Sequence, residues 1–244
     1  MISFTLNGQA VSADAPPTSR LTEVLREALG RKGTKVGCDA GDCGACTVLM
    51  DGRQVCACMV PAARAEGANI ETVEAEDHDL ARLKASFLRH GAAQCGICTP
   101  GMLMAAVDLL RRNPAPSEHE AKEALGGVLC RCTGYRSIDD ALRGKSNIEE
   151  DVAGKACGAS LPNPFTDAIL TGQARYTMDI AMEGMLHLKV LRSPHAHARI
   201  KKIDTSKAEK LAGVKAVITG ADLVRTPALD HVFNIRASYA DEAE

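Results

Sequence analysis

Eight of the ten cysteines in this 244-residue chain fall into two sets of four, and their spacing indicates metal–sulfur chemistry. The first set is Cys38, Cys43, Cys46 and Cys58, and the second set is Cys95, Cys98, Cys130 and Cys132. The first set begins with the C-x4-C-x2-C spacing of one recognised class of [2Fe–2S] site, in which a fourth cysteine completes the ligands. Two such sites predict a protein that handles single electrons.

Glycines surround the first three cysteines, at Gly37, Gly41 and Gly44. A loop that wraps an inorganic cluster needs positive φ angles and N–H groups turned toward anionic sulfur, and glycine supplies both without a Cβ clash. Zinc is one alternative, but zinc sites pair their cysteines as two C-x2–4-C units, which a run of three fits badly. Disulfides are another, yet ten cysteines in 244 residues is a low density for a disulfide scaffold.

Two predicted helices account for the second set. Thr99 as N-cap and Pro100 as the first helical residue open one helix, whose apolar face ends at Asn113. A capping box of Ser117 and Glu120 opens the next. Each spans about a dozen residues, roughly 18 Å, so an antiparallel hairpin returns the chain to its starting end. The last two cysteines of the set are thereby expected beside the first two.

The local chemistry of the second set supports the same prediction. Cys95 and Cys98 lie just before a helix N-terminus, where the macrodipole favours thiolate over thiol. The Cys130-x-Cys132 pair points both sulfurs the same way if the chain is extended there. Four buried cysteines without a cluster are the alternative, and they would not require this geometry.

The remaining cysteines and two histidines receive no metal role. The spacing selects Cys58 as a ligand, so we interpret Cys56 as a small buried hydrophobic residue. Cys157 lies in a glycine-containing link and is assigned no role. His195 and His197 would face one way on a strand, but no third ligand is near them in sequence, and we interpret them as surface or interface residues.

Composition excludes several classes of protein. A net charge of −2 with 3% aromatic residues offers neither a basic patch nor stacking platforms for nucleic acid. No apolar run approaches the roughly eighteen residues that a membrane span needs, and the first residues lack the cationic region of an export signal. We expect a soluble, cytoplasmic protein with 45% hydrophobic residues distributed over three small domains.

The predicted organisation has four parts. Residues 1–76 form an α+β domain with hairpins at the Asn-Gly and Asp-Gly turns. An apolar stripe of Leu21, Val24, Leu25, Ala28 and Leu29 predicts a helix between the hairpins. Residues 77–150 form a domain of four helices. Residues 151–164 read as a linker rich in Gly, Pro and polar residues. Residues 165–244 complete the chain as part of an α/β domain, with strands over 184–191 and 214–218 and a short helix between them.

Three runs, 37–48, 94–101 and 130–135, resemble the iron–sulfur subunit of the molybdenum hydroxylases, the xanthine dehydrogenase and aldehyde oxidoreductase family. The resemblance implies a β-grasp ferredoxin-like domain followed by a four-helix bundle, each holding one [2Fe–2S] cluster. It also implies that the helical cluster lies next to the molybdopterin cofactor. By motif match, Gln94 and Cys132 would lie against the pterin, Cys132 while also binding iron.

The end of the chain resembles a different part of the same family. The runs 171–177 and 191–200 are similar to the opening of the hammerhead domain of the large, molybdenum-binding subunit. Too few residues separate Cys132 from Gly172 for the FAD domain that some members insert there. We expect the catalytic residues of the family, and most of the molybdopterin contacts, to lie outside this chain.

These observations predict the electron-transfer subunit of a heteromeric molybdenum hydroxylase. Electrons would pass from molybdopterin on a partner chain, through the two [2Fe–2S] clusters, to FAD on another subunit or to an external acceptor. One alternative is a free ferredoxin-type electron carrier. The other is a fragment of a longer, single-chain enzyme of the aldehyde oxidoreductase type.

Overall fold

The computed structural model describes residues 1–144, 154, 157–161 and 163–223. Contacts within the chain divide it into two units, Met1–Glu183 and Gly184–Glu244. Parts of three predicted segments lie outside the described residues: 145–150 at the end of the helical domain, 151–153, 155–156 and 162 in the linker, and 224–244 at the end of the hammerhead segment.

A five-stranded sheet forms the first part of unit one. Its strands are β1 (Ile2–Leu6), β2 (Gln9–Ala13), β3 (Thr47–Met50), β4 (Arg53–Cys56) and β5 (Asn69–Glu71). Their spatial order is β2-β1-β5-β3-β4, with β1 and β5 parallel and the other neighbours antiparallel. Strand β5 is central, and the hairpins β1–β2 and β3–β4 flank it, as expected of the predicted ferredoxin-like α+β domain.

Both hairpins turn at the predicted dipeptides. Asn7 and Gly8 have φ angles of 51° and 80°, and Asp51 and Gly52 have 51° and 74°. Two successive positive φ angles define the turn that matches the right-handed twist of the flanking strands, and Asn-Gly and Asp-Gly favour it. The two hairpin predictions are confirmed.

The predicted first helix is present in a modified form. An α-helical turn, α1 (Leu21–Glu23), continues directly into a π-helical turn at Val24–Ala28. The N–H of Leu29 reaches back five residues to the carbonyl of Val24, at 3.0 Å. Leu21, Val24 and Leu25 of the predicted stripe are buried against the sheet, whereas Ala28 is exposed and the helical pitch differs from the predicted one.

Four helices follow the sheet, as predicted. They are α2 (His78–Arg89), α3 (Thr99–Arg112), α4 (Glu118–Leu125) and α5 (Tyr135–Arg143). Helix α3 is buried along most of its length and packs against α2, α4 and strand β3, which makes it the centre of the helical core. The predicted capping box at Ser117 is present, but Cys98 rather than Thr99 is the N-cap of α3, and α4 ends earlier than expected.

The last part of unit one packs onto the helical core. Helix α6 (Thr166–Leu170) buries Ile169 and Leu170 there, and a 3-10 turn follows at Thr177–Asp179. This segment therefore joins the core of the domain that precedes it.

Unit two contains two short helices among its described residues, α7 (Ser206–Glu209) and α8 (Gly220–Leu223). The predicted strands over 184–191 and 214–218 are not formed within residues 184–223. An alternating sequence pattern specifies which side chains share a face, but a strand also needs a neighbour for its backbone groups. No side chain over 184–222 is buried, and Leu191 is 98% exposed. The predicted helix at 206–211 is present, at shorter length.

Two adjacent residues of α2 test the helical core. Phe87 is fully buried and Leu88 is 37% exposed. We expect Phe87→Ala to lower the free energy of unfolding by about 3–5 kcal/mol, because it leaves a large cavity. Leu88→Ala should cost about 1 kcal/mol or less. Chemical denaturation of the two variants measures both values, and equal losses would contradict this description of the core.

Candidate iron–sulfur sites

The first cysteine set lies on the loop before β3 and on the turn after β4. Cys46 immediately precedes β3, and Cys58 lies in a 3-10 turn at Ala57–Met59. The N–H of Ala57 donates to the carbonyl of Cys46 at 3.3 Å, which holds these two chain segments together. Cys46 and Cys58 are buried, whereas Cys38 is exposed and Cys43 is half-buried. The hairpin β3–β4 thus brings the distant fourth cysteine to the loop of the other three.

Backbone N–H groups converge on the sulfur of Cys38. Those of Ala40, Asp42 and Cys43 lie 3.3, 3.3 and 3.4 Å from it, and the N–H of Cys38 lies 3.3 Å from the sulfur of Cys43. These hydrogen bonds, led by that from Ala40, lower the pKa of Cys38 to about 7. Donors aimed at a thiolate suit the anionic sulfur of an iron–sulfur cluster.

Gly37 shows how closely the loop is folded. A Cβ added there would lie 2.7 Å from the sulfur of Cys43, closer than van der Waals contact allows. Gly41 and Gly44 have φ angles of 83° and 67°, which L side chains rarely adopt. The positions and conformations of all three glycines fit the predicted role of wrapping a cluster.

The pKa of the buried Cys46 is shifted in the direction opposite to that of Cys38. Burial raises the pKa of Cys46 to about 12, and the thiols of Cys58 and Cys56 beside it add to the rise. A thiol must lose its proton to bind a metal, and buried charge requires compensation. Cationic iron would supply that compensation, so the donor set fits the predicted cluster.

The second set is assembled by the helical hairpin. Cys98 caps α3, and Cys130 and Cys132 lie on the turn before α5. The N–H of Cys130 donates to the hydroxyl of Tyr135 at 2.7 Å, and the N–H of Gly134 points at the sulfur of Cys130 at 3.4 Å. Cys98 and Cys130 are buried. The predicted return of the chain to the start of α3 is therefore observed.

Electrostatics in the second set differ from the prediction in one respect. Burial raises the pKa of Cys98 to about 12 although the residue caps a helix N-terminus, and the thiol of Cys130 raises it further. Desolvation outweighs the helix dipole because the dipole carries only about half a charge. A hydrogen bond from the backbone of Cys95 lowers the pKa of Cys132. Each set thus combines at least one thiol of raised pKa with one of lowered pKa.

Within the part of the chain that the structure describes, no three His, Cys, Asp or Glu side chains converge as one metal ion would require. A [2Fe–2S] cluster divides four thiolates between two irons, so two ligands per iron suffice. The four-cysteine sets are compatible with that wider arrangement.

One backbone hydrogen bond connects the two sets. The N–H of Leu129 donates to the carbonyl of Cys43 at 2.8 Å, and Leu129 precedes Cys130 in the chain. The two backbones touch here: a Cβ on Gly44 would overlap the carbonyl oxygen of Gly127, and a Cβ on Gly101 would overlap that of Gly44. The two sets are consequently linked by one hydrogen bond and short covalent segments.

The other residues singled out from the sequence are placed as follows. Gln94 is exposed, and its amide lies 3.2 Å from where a Cβ on Gly134 would stand, so it lies beside the second set. Cys157 is exposed, and so are His195 and His197. The proximity of Gln94 and Cys132 to a pterin stays a prediction.

Cys56 is closer to the first set than the sequence suggested. It is half-buried, and its thiol lies 3.8 Å from the carbonyl of Gly41. Burial raises its pKa, and all four cysteines of the set act on it. Cys56 is therefore a polar neighbour of the site rather than a fully buried hydrophobic residue.

Sequence reasoning missed the residues that support the sites from outside. Tyr135 belongs to a recognised run, but its hydrogen bond with Cys130 has no signal in the spacing. The contact of Leu129 with Cys43 joins residues 86 positions apart. The nearest signal was glycine itself: Gly44, Gly101 and Gly127 occur where the backbones meet.

Comparison with protein-family models gives three matches. Residues 4–85 match a 2Fe-2S iron-sulfur cluster binding domain, and residues 69–143 match a second [2Fe-2S] binding domain. Residues 171–239 match the a/b hammerhead domain of aldehyde oxidase and xanthine dehydrogenase. The order of the three matches is the order predicted from the sequence.

Individual relatives cover different shares of the chain. The aldehyde oxidoreductase of Megalodesulfovibrio gigas is 36% identical over 240 residues, which cover 90% of this chain and 26% of that protein. The nicotinate dehydrogenase small FeS subunit of Eubacterium barkeri is 46% identical over 144 residues, which cover 58% of this chain and 92% of that subunit. This chain thus spans about a quarter of the first relative and nearly all of the second.

A solved structure supports the fold. The crystal structure of the aldehyde oxidoreductase from Desulfovibrio desulfuricans superposes with a TM-score of 0.77 at 38% identity, covering 89% of this chain and 26% of that one. Most of this chain therefore shares its fold with part of that enzyme.

The ligand assignment is tested by a pair of cysteine variants. We expect Cys43→Ser to abolish the EPR signal of one reduced cluster and to spare the other, because Cys43 belongs to only one set. Cys56→Ser is the matched control and should leave both signals in place. Retention of both signals in Cys43→Ser would refute the assignment, as would loss of a signal in Cys56→Ser.

Proposed function

We propose that this chain, which belongs to the molybdenum hydroxylase family of xanthine dehydrogenases and aldehyde oxidoreductases, is the part of such an enzyme that carries electrons through two [2Fe–2S] clusters. A [2Fe–2S] cluster accepts and returns one electron at a time. The chain supplies no catalytic residue of its own in this proposal. Substrate oxidation would belong to a molybdopterin site formed mainly by residues outside the two cysteine-bearing domains.

The observation that carries the proposal is the contact between the two cysteine sets. Cys43 of the first set and Cys130 of the second are joined by the hydrogen bond from Leu129 and one peptide link. A protein that only stored clusters would have no need of close backbone contact between them. A short separation favours transfer of an electron from one cluster to the other, and this contact brings the two ligand loops together.

The residues of each set have distinct parts in the proposal. The first cluster would be held by Cys38, Cys43, Cys46 and Cys58, and the second by Cys95, Cys98, Cys130 and Cys132. The N–H groups around Cys38 and the N–H of Gly134 would stabilise charge on the ligand sulfurs and so set the potential. Gln94 and Cys132 would face the pterin, and the exposure of Gln94 and the partial exposure of Cys132 support contact with another body.

The proposed direction of transfer follows from this placement. Electrons leave the molybdopterin site, enter the helical-domain cluster, pass to the ferredoxin-like cluster and leave to FAD on another subunit or to an external acceptor. Cys38 is exposed, so the first site has an edge through which an acceptor can be reached. The domain boundaries after residues 76, 150 and 164 belong to the same proposal.

A molybdenum-binding partner region is part of the proposal. Residues 171–239 match a hammerhead domain. The described residues of unit two expose apolar side chains such as Leu188 and Leu191. An exposed apolar surface of this kind marks a place where further protein packs. A cytoplasmic location is also proposed, because a reducing compartment keeps cysteine thiols available for iron. No helix among the described residues combines the length and apolar character that crossing a membrane requires.

The iron content of the purified protein tests this function. We expect about four iron atoms and four acid-labile sulfides per chain, the sum of two [2Fe–2S] clusters. Metal and sulfide analysis measures both, and the unmodified protein should show two reduced-cluster EPR signals. Two iron atoms and one signal would remove one cluster and the proposed relay with it.

A second arrangement of the same function is supported by a specific observation. The match to the Megalodesulfovibrio gigas enzyme continues beyond both [2Fe–2S] domains, over 240 residues. In the alternative, the sequence is a piece of one long polypeptide that also contains the molybdenum part. A free ferredoxin-type carrier is disfavoured by the exposed apolar residues of unit two.

The intact mass of the native polypeptide and its elution volume separate these arrangements. A long polypeptide supports the single-chain enzyme. A chain near the 25.8 kDa of this sequence that elutes together with larger partners supports a separate subunit. Elution of the same chain alone would favour the free carrier and contradict both enzyme arrangements.

A further inference from the structure

The segment of residues 163–180, called here the anchoring segment, holds the loop that carries Cys95. The hydroxyl of Tyr176 donates to the carbonyl of Cys95 at 2.7 Å. The side-chain amide of Asn163 donates to the carbonyl of Gln94 at 3.1 Å. Two successive carbonyl groups of the loop thus accept from side chains that lie about seventy to eighty residues away in the sequence.

The loop and the anchoring segment fit each other closely. Gly96 has a φ of 86°, and a Cβ added there would overlap the hydroxyl of Tyr176 and lie 2.6 Å from Ile169. Ile169 is buried in the helical core. Glycine at position 96 therefore allows the loop to touch the anchoring segment directly.

Tyr176 is itself fixed from the first domain. Its ring lies 4.8 Å from the ammonium nitrogen of Lys35, and that nitrogen is 3.3 Å from the carbonyl of Ala174. The backbone N–H of Tyr176 donates to the carboxylate of Asp179 at 3.1 Å. Arg26 donates to the same carboxylate at 2.8 Å. The position of the tyrosine hydroxyl is consequently set by contacts with two domains.

The carboxylate of Asp179 gives this arrangement its electrostatic balance. Its side chain is 3% exposed and lies beside the cations of Arg26 and Lys35. Burial alone would raise the pKa of Asp179, but the N–H of Tyr176, Arg26 and Lys35 outweigh burial and lower it. Removal of Asp179 would leave the buried charges of Arg26 and Lys35 without their counter-charge, so this carboxylate stabilises the surroundings of Tyr176.

We propose that the anchoring segment is a positioning element for the second iron–sulfur site, in which the Tyr176 hydroxyl fixes the backbone of the ligand loop at Cys95. The inference rests on the proposed function, since it assumes a cluster at the second set. It assigns Tyr176 and Asn163 a part in seating that cluster, although both lie outside the two cysteine-bearing domains. Tyr176 and Asn163 act through the backbone carbonyls of Cys95 and Gln94 and not through the ligand sulfur of Cys95.

Tyr176→Phe in the full, cluster-loaded protein is the central variant, because it removes the hydroxyl and keeps the ring over Lys35. Two readouts apply: the g-values of each reduced-cluster EPR signal, and the rate at which each signal is lost to an iron chelator. The signal that survives in Cys43→Ser identifies the second cluster. We expect its g-values to shift and its loss to accelerate about fivefold, the factor that one net hydrogen bond supplies. The first cluster should be unchanged.

Asn163→Ala provides an independent second variant, because it removes the hydrogen bond to the carbonyl of Gln94. Asn163 lies near the surface. The variant should produce a change of the same kind and selectivity. Phe165→Ala is the matched control: Phe165 lies in the same segment with a side chain that is 70% exposed, and its replacement should alter neither signal.

The outcomes are distinct. A selective change of the second signal in Tyr176→Phe and Asn163→Ala supports the inference. No change in either variant, or equal acceleration for both clusters, overturns it, because a purely structural segment would stabilise the two sites alike. Two signals in the unmodified protein uphold the proposed function in every one of these cases. Fewer than two would overturn the function and the inference together.

Discussion

The direct backbone contact between the cysteine loop of the first domain and the helical domain is the constraint on which the rest of the structure depends. A Cβ on Gly44 would overlap the carbonyl oxygen of Gly127, and a Cβ on Gly101 would overlap that of Gly44. The hydrogen bond from Leu129 to Cys43 closes the contact. Protein backbones rarely approach so closely unless glycine removes the Cβ. The separation of the two cysteine sets is thus set by main-chain geometry, which varies less than side-chain packing.

The thiols of each set lie in two different environments, one buried and one accessible, and each environment would affect a bound cluster differently. Cys46 and Cys98 are buried, and burial raises the pKa of both thiols. Backbone hydrogen bonds lower the pKa of Cys38 and Cys132 and so stabilise their thiolates. The buried side of each site would limit water access to a bound cluster. The accessible side would allow exchange of electrons with another body, and solvent exposure is one of the quantities that set a cluster's potential.

Sequence reasoning predicted the elements well where the pattern is local. Asn7-Gly8 and Asp51-Gly52 specify their turns through backbone conformation alone, and the capping box at Ser117 depends on residues three apart. It was less successful where long-range contacts decide. The π-helical turn at Val24–Ala28 has no sequence signature, and the alternating residues of 184–191 do not form a strand among the described residues without a partner.

The candidate sites were likewise predicted where the sequence pattern is local and missed where long-range contacts decide. The cysteine spacing predicted two assembled sets, because a hairpin of helices must return to its start. The contacts of Tyr176 with Cys95, of Tyr135 with Cys130 and of Leu129 with Cys43 connect a hydroxyl or an N–H to a single backbone group. Such contacts depend on angles and distances that no residue type encodes, so only the structure could reveal them.

The interlocking of Gly44 with Gly127 bears on how chimeric enzymes should be built from this family. A crossover placed between the sheet and the helices would pair main chains from different parents at a surface with no tolerance for even a methyl group. Parental segments should instead be exchanged as one block covering the sheet, all four helices and the anchoring segment, with the junction after residue 180.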